Sequence, residues 1–206
     1  MMRTGLAQLI ENEPDLKVCA EAGSAAQAMT AVSQQTFDLA LLDISLPDKN
    51  GLELIKDLQS FKATLPILVV SMHDEMLYAE RTLRAGARGY IMKQEGGKKF
   101  LQAIRQVLAG QIYVSEKMSS RILEVFSGHK AATHTNPVEQ LSDREFEVFQ
   151  MIGQGQTTRI IAEHLHLSVK TVEVHRANIK VKLQIKTAND LVRYAVRWAD
   201  AQGRGN

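Results

Sequence analysis

The 206-residue chain has a single cysteine, so no intrachain disulfide is available and the fold must rest on packing. Cys19 lies in an apolar run, LKVCA, and reads as a core residue rather than a reactive thiol. No apolar run approaches the roughly 20 residues that a membrane span requires. The N-terminus carries no secretory pattern, so the expected location is the cytoplasm, with no membrane partner. Internal repeats and low-complexity tracts are absent too. Charge of one sign is scarce, at a net +2 overall, but its distribution is uneven. Residues 1–140 hold 15 Lys and Arg against 16 Asp and Glu, whereas residues 141–206 hold 10 against 7. A neutral front and a basic back fit a regulatory part joined to a polyanion-binding part. With 45% hydrophobic and 23% charged residues, the chain suits ordinary globular folding, as one large domain or two small ones.

The front half alternates apolar runs with helical stretches. Leu6–Glu13 reads as the rear of a helix stopped by Pro14, and Leu16–Ala22 as a short strand. Ser24 can cap a helix over Ala25–Gln35. Phe37–Leu42 is a buried-strand run that ends at Asp43, followed by the turn-rich ISLPDKNG and a helix over Leu52–Phe61. PILVVSM from Pro66 is a second such run, leading through a polar turn to a helix over Met76–Ala85 that Gly86 stops. Gly89–Lys93 is a third, followed by a helix over Lys98–Ala109 that Gly110 ends. Strands alternating with helices predict βα units on a parallel sheet covered on both faces. In such sheets ligands sit at the carboxyl ends of the strands. Asp43, Ser71 and Lys93 end three strands, which sets a carboxylate, a hydroxyl and an ammonium along one edge. The carboxylate can act as a nucleophile toward phosphoryl groups, and the other two can hold phosphoryl oxygens. Any one of the three alone would pass for a polar residue at a strand–loop junction.

LLDISLPDKNGLEL around Asp43, VVSM ending at Ser71 and AGARGYIMK ending at Lys93 resemble the receiver domain of two-component response regulators, from about Thr4 to Gly110. The resemblance implies a flavodoxin-like parallel α/β sheet of order 2-1-3-4-5. It implies that Asp43 is the phospho-acceptor, Ser71 the switch hydroxyl, Lys93 its cationic partner and Tyr90 the switch aromatic. Pro47 and Gly51 match the loop after the acceptor. In one respect the chain departs from receivers. These begin with a strand ending in two acids that help to hold Mg²⁺, and this chain begins inside the following helix. The first strand is therefore missing, and Asp43 alone is a partial Mg²⁺ site, with Asp48 and Asp74 in loops of unknown direction. Either the recorded start is a truncation or the receiver is degenerate; the intact Asp43, Ser71 and Lys93 favour truncation. Mg²⁺ is the expected cofactor for phosphotransfer if the receiver is competent.

Ser115–Phe126 reads as a helix with Met118, Ile122, Val125 and Phe126 on one side, and Ser127–Gln140 as a linker in which His129 and His134 are solvated. Ser142-Asp143-Arg144-Glu145 is a capping box opening a helix to about Ile152, which Gly153 and Gly155 break. Thr157 or Thr158 can cap a second short helix, and a tight turn at His166–Leu167 precedes a third, from Ser168 to Leu183. On this third helix Val169, Val172, Ile179 and Leu183 share an expected buried face. Lys170, Glu173, Val174, Ala177 and Val181 share the outer face, flanked by Arg176, Lys180 and Lys182. From 168 to 186 there are five basic residues and one acid. A short helix that is apolar inside and basic outside has the shape and charge to lie in a DNA major groove. Thr187 opens a last helix to about Trp198, whose Leu191, Val192, Ala195 and Trp198 either meet a second copy or close the module's own core.

LSDREFEVF, IAEHLHLSVKTVEVHRANIKVKL and LVRYA resemble the LuxR-type helix-turn-helix of NarL/FixJ-class regulators, over about Leu141–Trp198. Ile160 stands where that family usually has an acid. The expected division is a receiver at 1–112, a helix and linker at 113–140 and an all-α four-helix domain at 141–203, with its helix-turn-helix at about 157–183. Helix geometry offers Glu173, Val174 and Ala177 to base edges, and Lys170, Thr171, His175, Arg176, Lys180 and Lys182 to phosphates. His175 has a packed, neutral alternative, and Arg176 has as its alternative a pairing with an acid such as Glu163. The resulting expectation is a transcription regulator, not an enzyme, controlled by phosphorylation of Asp43. Its partners are double-stranded DNA, a sensor histidine kinase, a second copy on a near-palindromic site, and RNA polymerase as a further candidate. The alternatives are a phosphorylation-independent DNA-binding regulator with a degenerate receiver, and a phosphoester hydrolase with Asp43 as nucleophile.

Overall fold

Ile67–Ser71 (β2) is buried at all five positions, which fits an apolar run, ILVV, shielded on both faces of a parallel sheet. In the computed structural model, which describes residues 2–126 and 137–203, β2 lies between β1 (Ala40–Leu42) and β3 (Gly89–Met92). Both neighbours are parallel to it, with Leu41 opposite Leu68 and Val69 opposite Tyr90. Six helices accompany the sheet: α1 (Met2–Glu11), α2 (Ala25–Gln34), α3 (Gly51–Phe61), α4 (Glu75–Ala85), α5 (Gly97–Leu108) and α6 (Glu116–Phe126). Leu68, Val70 and Ile91 pack with Ile10 of α1 and Phe100, Ala103, Ile104 and Val107 of α5. Strand alternation turns Ile67, Val69 and Ser71 the other way, to the side where α3 and α4 supply buried Leu52, Ile55, Leu58, Tyr78 and Ala79. Arg105 of α5 bonds Glu13 at 2.6 Å and Asp15 at 2.8 Å, tying α5 to the turn after α1.

The expected strand at Leu16–Ala22 does not form: the segment has no regular secondary structure and pairs with no strand among the described residues. A strand exists through its ladder, and apolar spacing alone cannot supply a neighbour. Leu16 and Val18 pack against the α1–α5 cluster. The Val18 amide donates to the Glu11 carboxylate at 2.7 Å in place of a ladder bond. Cys19, one residue on, points the opposite way and is exposed, which corrects the expectation of a core cysteine. For the same reason Phe37–Leu42 yields only the three-residue β1. Met118 of α6 is buried, while Leu123 is exposed.

The chain divides into two compact units, one within residues 1–129 and one within 130–206. Of the expected linker, Ser127–Asn136, with His129 and His134, lies outside the described residues. Pro137–Gln140 is a 3₁₀ turn rather than linker, because Val138 is buried. Then follow α7 (Asp143–Gly153), α8 (Thr158–His164), α9 (Val169–Lys182) and α10 (Ala188–Gly203). Both halves of the capping box are present at Ser142 and Glu145. A Cβ on Gly153 would stand 2.7 Å from the Ala195 carbonyl oxygen, so this glycine sets how closely α10 approaches α7. Trp198 packs edge-on to Phe149 and Phe146 at 5.3 and 5.7 Å, and Leu191 and Ala195 are fully buried. These three residues serve the unit's own core, whereas Val192 is exposed.

Candidate phospho-acceptor site and nucleic-acid interface

Asp43 and Lys93 follow the C-terminal ends of β1 and β3, and the fold brings them together: Lys93 Nζ donates to Asp43 Oδ2 at 2.5 Å. Asp43 Oδ1 accepts from the Ser45 amide at 3.1 Å. The carboxylate is 31% exposed, so it is held on both oxygens yet open to solvent. Gly51 makes room for this turn. A Cβ there would fall 2.5 Å from Ile44 Cα and 2.8 Å from the Asp43 carbonyl oxygen.

Ser71 and Tyr90 join this site through a residue that the sequence did not flag. His73 Nε2 lies 3.1 Å from Ser45 Oγ, and its ring packs on Tyr78 at 4.7 Å. Its amide donates to Ser71 Oγ at 3.1 Å, and its carbonyl accepts from the Tyr90 hydroxyl at 2.7 Å. Burial lowers the His73 pKa; the Asp43 carboxylate opposes this and the Lys93 ammonium adds to it. Burial likewise pushes the Tyr90 phenol well above its ordinary value. Ser45 and His73 each lie two residues beyond a predicted site residue, Asp43 and Ser71. The Asp43 carboxylate and the Ser71 hydroxyl each accept from the amide two residues on, the short turn that Asp and Ser favour, and that spacing was the available signal.

Asp48 and Asp74 are committed elsewhere. The Asp48 carboxylate accepts from the amides of Ala25 and Ala26, at 2.8 and 3.0 Å, at the start of α2. The amides of Ala26 and Ala25 hold its pKa below the usual carboxylate range. Asp74 caps α4 through the Met76 amide at 2.7 Å. Receiver domains generally use Mg²⁺ for phosphorylation. Among the described residues no three His, Cys, Asp or Glu side chains converge. Asp43 alone therefore offers one carboxylate, shared with Lys93, toward a divalent cation, which usually takes one or two together with its waters.

In the second unit, Thr157 caps α8 and Ser168 caps α9 through the Thr171 amide at 3.0 Å. His166, at φ 52°, turns the chain between them, and Arg144 Nη2 donates to the Leu165 carbonyl at 2.7 Å. Of the face expected to be buried on α9, Val172 and Ile179 are fully buried and Leu183 is half-buried. Val169 is 50% exposed, because it opens the helix, ahead of the turns that meet the core. Val174, Ala177 and Val181 are exposed, as are Lys170 and Glu173, and Thr171 and Lys180 are partly so.

Three of the proposed phosphate contacts are engaged inside the unit. Lys182 Nζ bonds the nearly buried Glu145 carboxylate at 2.6 Å. Arg176 is 14% exposed and faces Glu173 at 3.9 Å rather than Glu163, which pairs with Arg159. His175 is half-buried, and its Nδ1 has no partner among the described residues. Burial lowers its pKa, the nearby Arg144 adds to that and Glu145 opposes it, in keeping with the packed, neutral alternative.

A parallel α/β unit with a carboxylate–lysine pair at its strand ends, followed by a four-helix unit with an exposed basic third helix, defines a two-component response regulator with a LuxR-type DNA-binding domain. The chain belongs to that family: residues 1–105 match the response regulator receiver domain, and residues 139–195 the bacterial regulatory proteins of the luxR family. It is 33% identical over 201 residues to the oxygen regulatory protein NreC of Staphylococcus haemolyticus, covering 96% of this chain and 93% of that one. The NreC protein of Staphylococcus aureus is 34% identical over the same span. Among solved structures, a LuxR-family response regulator from Aurantimonas is 31% identical over 61% of this chain and 90% of its own, with a TM-score of 0.57. RcsB from Salmonella enterica serovar Typhimurium, solved bound to a promoter with a phosphomimetic, covers 94% of this chain and 92% of its own. Its TM-score is 0.62 at 21% identity, a likeness of fold. No helix among the described residues is long and apolar enough to cross a membrane.

Proposed function

We propose that Asp43 accepts a phosphoryl group from a sensor histidine kinase and that this controls binding of α9 to double-stranded DNA. An Asp43 carboxylate oxygen attacks phosphorus and the phosphorus–nitrogen bond of the donor phosphohistidine breaks, leaving an acyl phosphate. Lys93 exchanges its carboxylate contact for a phosphoryl oxygen, and the Ser71 hydroxyl turns toward the same group. That movement releases the His73 amide from Ser71, and with it the carbonyl that the Tyr90 hydroxyl holds, which couples the strand end to the switch aromatic. The 2.5 Å contact between Lys93 and Asp43 carries this reading.

On DNA, Glu173, Val174 and Ala177 face base edges and Lys170, Thr171 and Lys180 face phosphates. One such module makes few contacts, so two copies on a near-palindromic site are needed for useful specificity, with the exposed Val192 of α10 a candidate contact. RNA polymerase is a further partner, and the cytoplasm is the compartment in which these partners meet. The proposed domain division is 1–112 for the receiver, 113–140 for the helix and connecting segment, and 141–203 for the DNA-binding domain.

The test is a fluorescence-anisotropy titration of labelled duplex DNA before and after treatment with a small phosphodonor. Donor-dependent tightening that Asp43→Ala abolishes is the expected result. Equal binding by both proteins in both conditions would favour the second reading, a phosphorylation-independent regulator.

A further inference from the structure

Glu173 does not hang free from α9. Its Oε1 accepts a hydrogen bond from the Thr158 hydroxyl at 3.0 Å, and the same oxygen lies 3.9 Å from Arg176 Nε. Thr158 belongs to α8, fifteen residues earlier, and Arg176 lies one turn further along α9. Arg176 is itself mostly covered, at 14% exposure, whereas Glu173 is 57% exposed. One carboxylate oxygen is thus held from two elements, and neither contact uses Oε2. The neighbours on this face, Val174 and Ala177, are exposed and apolar, so the carboxylate is the one charged acceptor in that patch.

We infer that Thr158 determines base specificity: by fixing Oε1 it presents Oε2 of Glu173 to an amino donor in the major groove. The cytosine N4 amino group is the complementary edge, whereas guanine O6 and N7 would oppose the carboxylate with acceptors. The inference rests on α9 being the DNA-reading helix. Thr158 acts as a positioning residue, since it holds the reading side chain and reaches no base itself. A glutamate in solution samples many rotamers, and restraining one such side chain before binding changes discrimination about two- to tenfold.

The experiment selects bound sequences from randomised duplex DNA with the full chain, after phosphodonor treatment, for wild type, Thr158→Val, Thr158→Ser and Glu173→Gln. Thr158→Val should lose cytosine preference at one base pair per half-site, at the same pair that Glu173→Gln alters. Thr158→Ser, which keeps the hydroxyl, should retain it, and affinity for random-sequence DNA should stay within about twofold of wild type for both Thr158 variants. A wild-type motif in Thr158→Val while Glu173→Gln shifts overturns the inference, as does uniform weakening on all sequences. A Glu173→Gln motif identical to wild type overturns instead the assignment of Glu173 as a base reader. Three-bond couplings of the Glu173 methylenes give a readout without DNA. A single rotamer in wild type that averages in Thr158→Val is expected, and averaging already present in wild type would refute the restraint.

Discussion

Replacing Glu145 by glutamine tests how the DNA-binding unit is held together. The Glu145 side chain is 6% exposed and Lys182, whose ammonium lies 2.6 Å away, is 38% exposed. The same carboxylate oxygen accepts from the Ser142 amide at 2.8 Å, closing the start of α7. Glutamine preserves the shape and the cap acceptor but removes the charge. A charge-assisted hydrogen bond is worth about 1.5–3 kcal/mol, and the partial exposure of Lys182 brings the expected loss to about 1–2 kcal/mol. A unit of this size shifts its melting point by about 4–8 °C per kcal/mol, so Glu145→Gln should lower it by about 4–16 °C. Trp198, the chain's only tryptophan, packs against Phe146 and Phe149 of α7, so its fluorescence reports melting of this unit. The pH dependence has a definite sign. Burial pushes the Glu145 carboxyl up, but the bonds from Lys182 and Ser142 outweigh it and hold the pKa below the usual range. The stabilisation is therefore present above the unfolded value, about 4.3, and is lost as pH falls through the folded one. The gap between wild type and Glu145→Gln should close in acid. An unchanged tryptophan melt at neutral pH, or a gap that does not narrow as the solution is made acid, would refute the reasoning.

Gly51→Ala should destabilise the receiver unit by about 1–3 kcal/mol, seen in thermal melts by circular dichroism, because its Cβ would sit 2.5 Å from Ile44 Cα. His73, kept neutral by burial, binds protons more readily unfolded than folded. The receiver should therefore lose stability as pH falls from about 7.5 to about 5.5, and His73→Asn should flatten that slope in pH-dependent melts. Lys170→Ala should reduce the slope of log affinity against log salt by about 1. Lys182→Met should instead leave that slope nearly unchanged and lower the tryptophan melting point, since its ammonium is spent on Glu145.

The βα alternation was legible because β2 and β3 are short apolar runs bounded by glycine and proline, and their burial needs only a sheet with both faces covered. Leu16–Ala22 misled because its alternation is real, with Leu16 and Val18 packed inward, yet a ladder depends on a neighbour that spacing within the segment cannot reveal. The strand-end pair of Asp43 and Lys93 was legible from the topology of parallel sheets. His73 was not, because its role comes from meeting Ser45 across 28 residues. On α9 the helical period placed Val172 and Ile179 inside correctly. It could not tell that Lys182 reaches back to Glu145, 37 residues away, or that Thr158 holds Glu173. Long side chains choose partners in three dimensions, and a helical wheel records only the direction in which they start.

Intact-mass spectrometry of the 206-residue chain with a small phosphodonor, in the presence and absence of Mg²⁺, tests the central claim most directly. The account predicts a single phosphoryl adduct on wild type that is absent from Asp43→Ala. No adduct on wild type under either condition, or one that persists in Asp43→Ala, would contradict Asp43 as the phospho-acceptor.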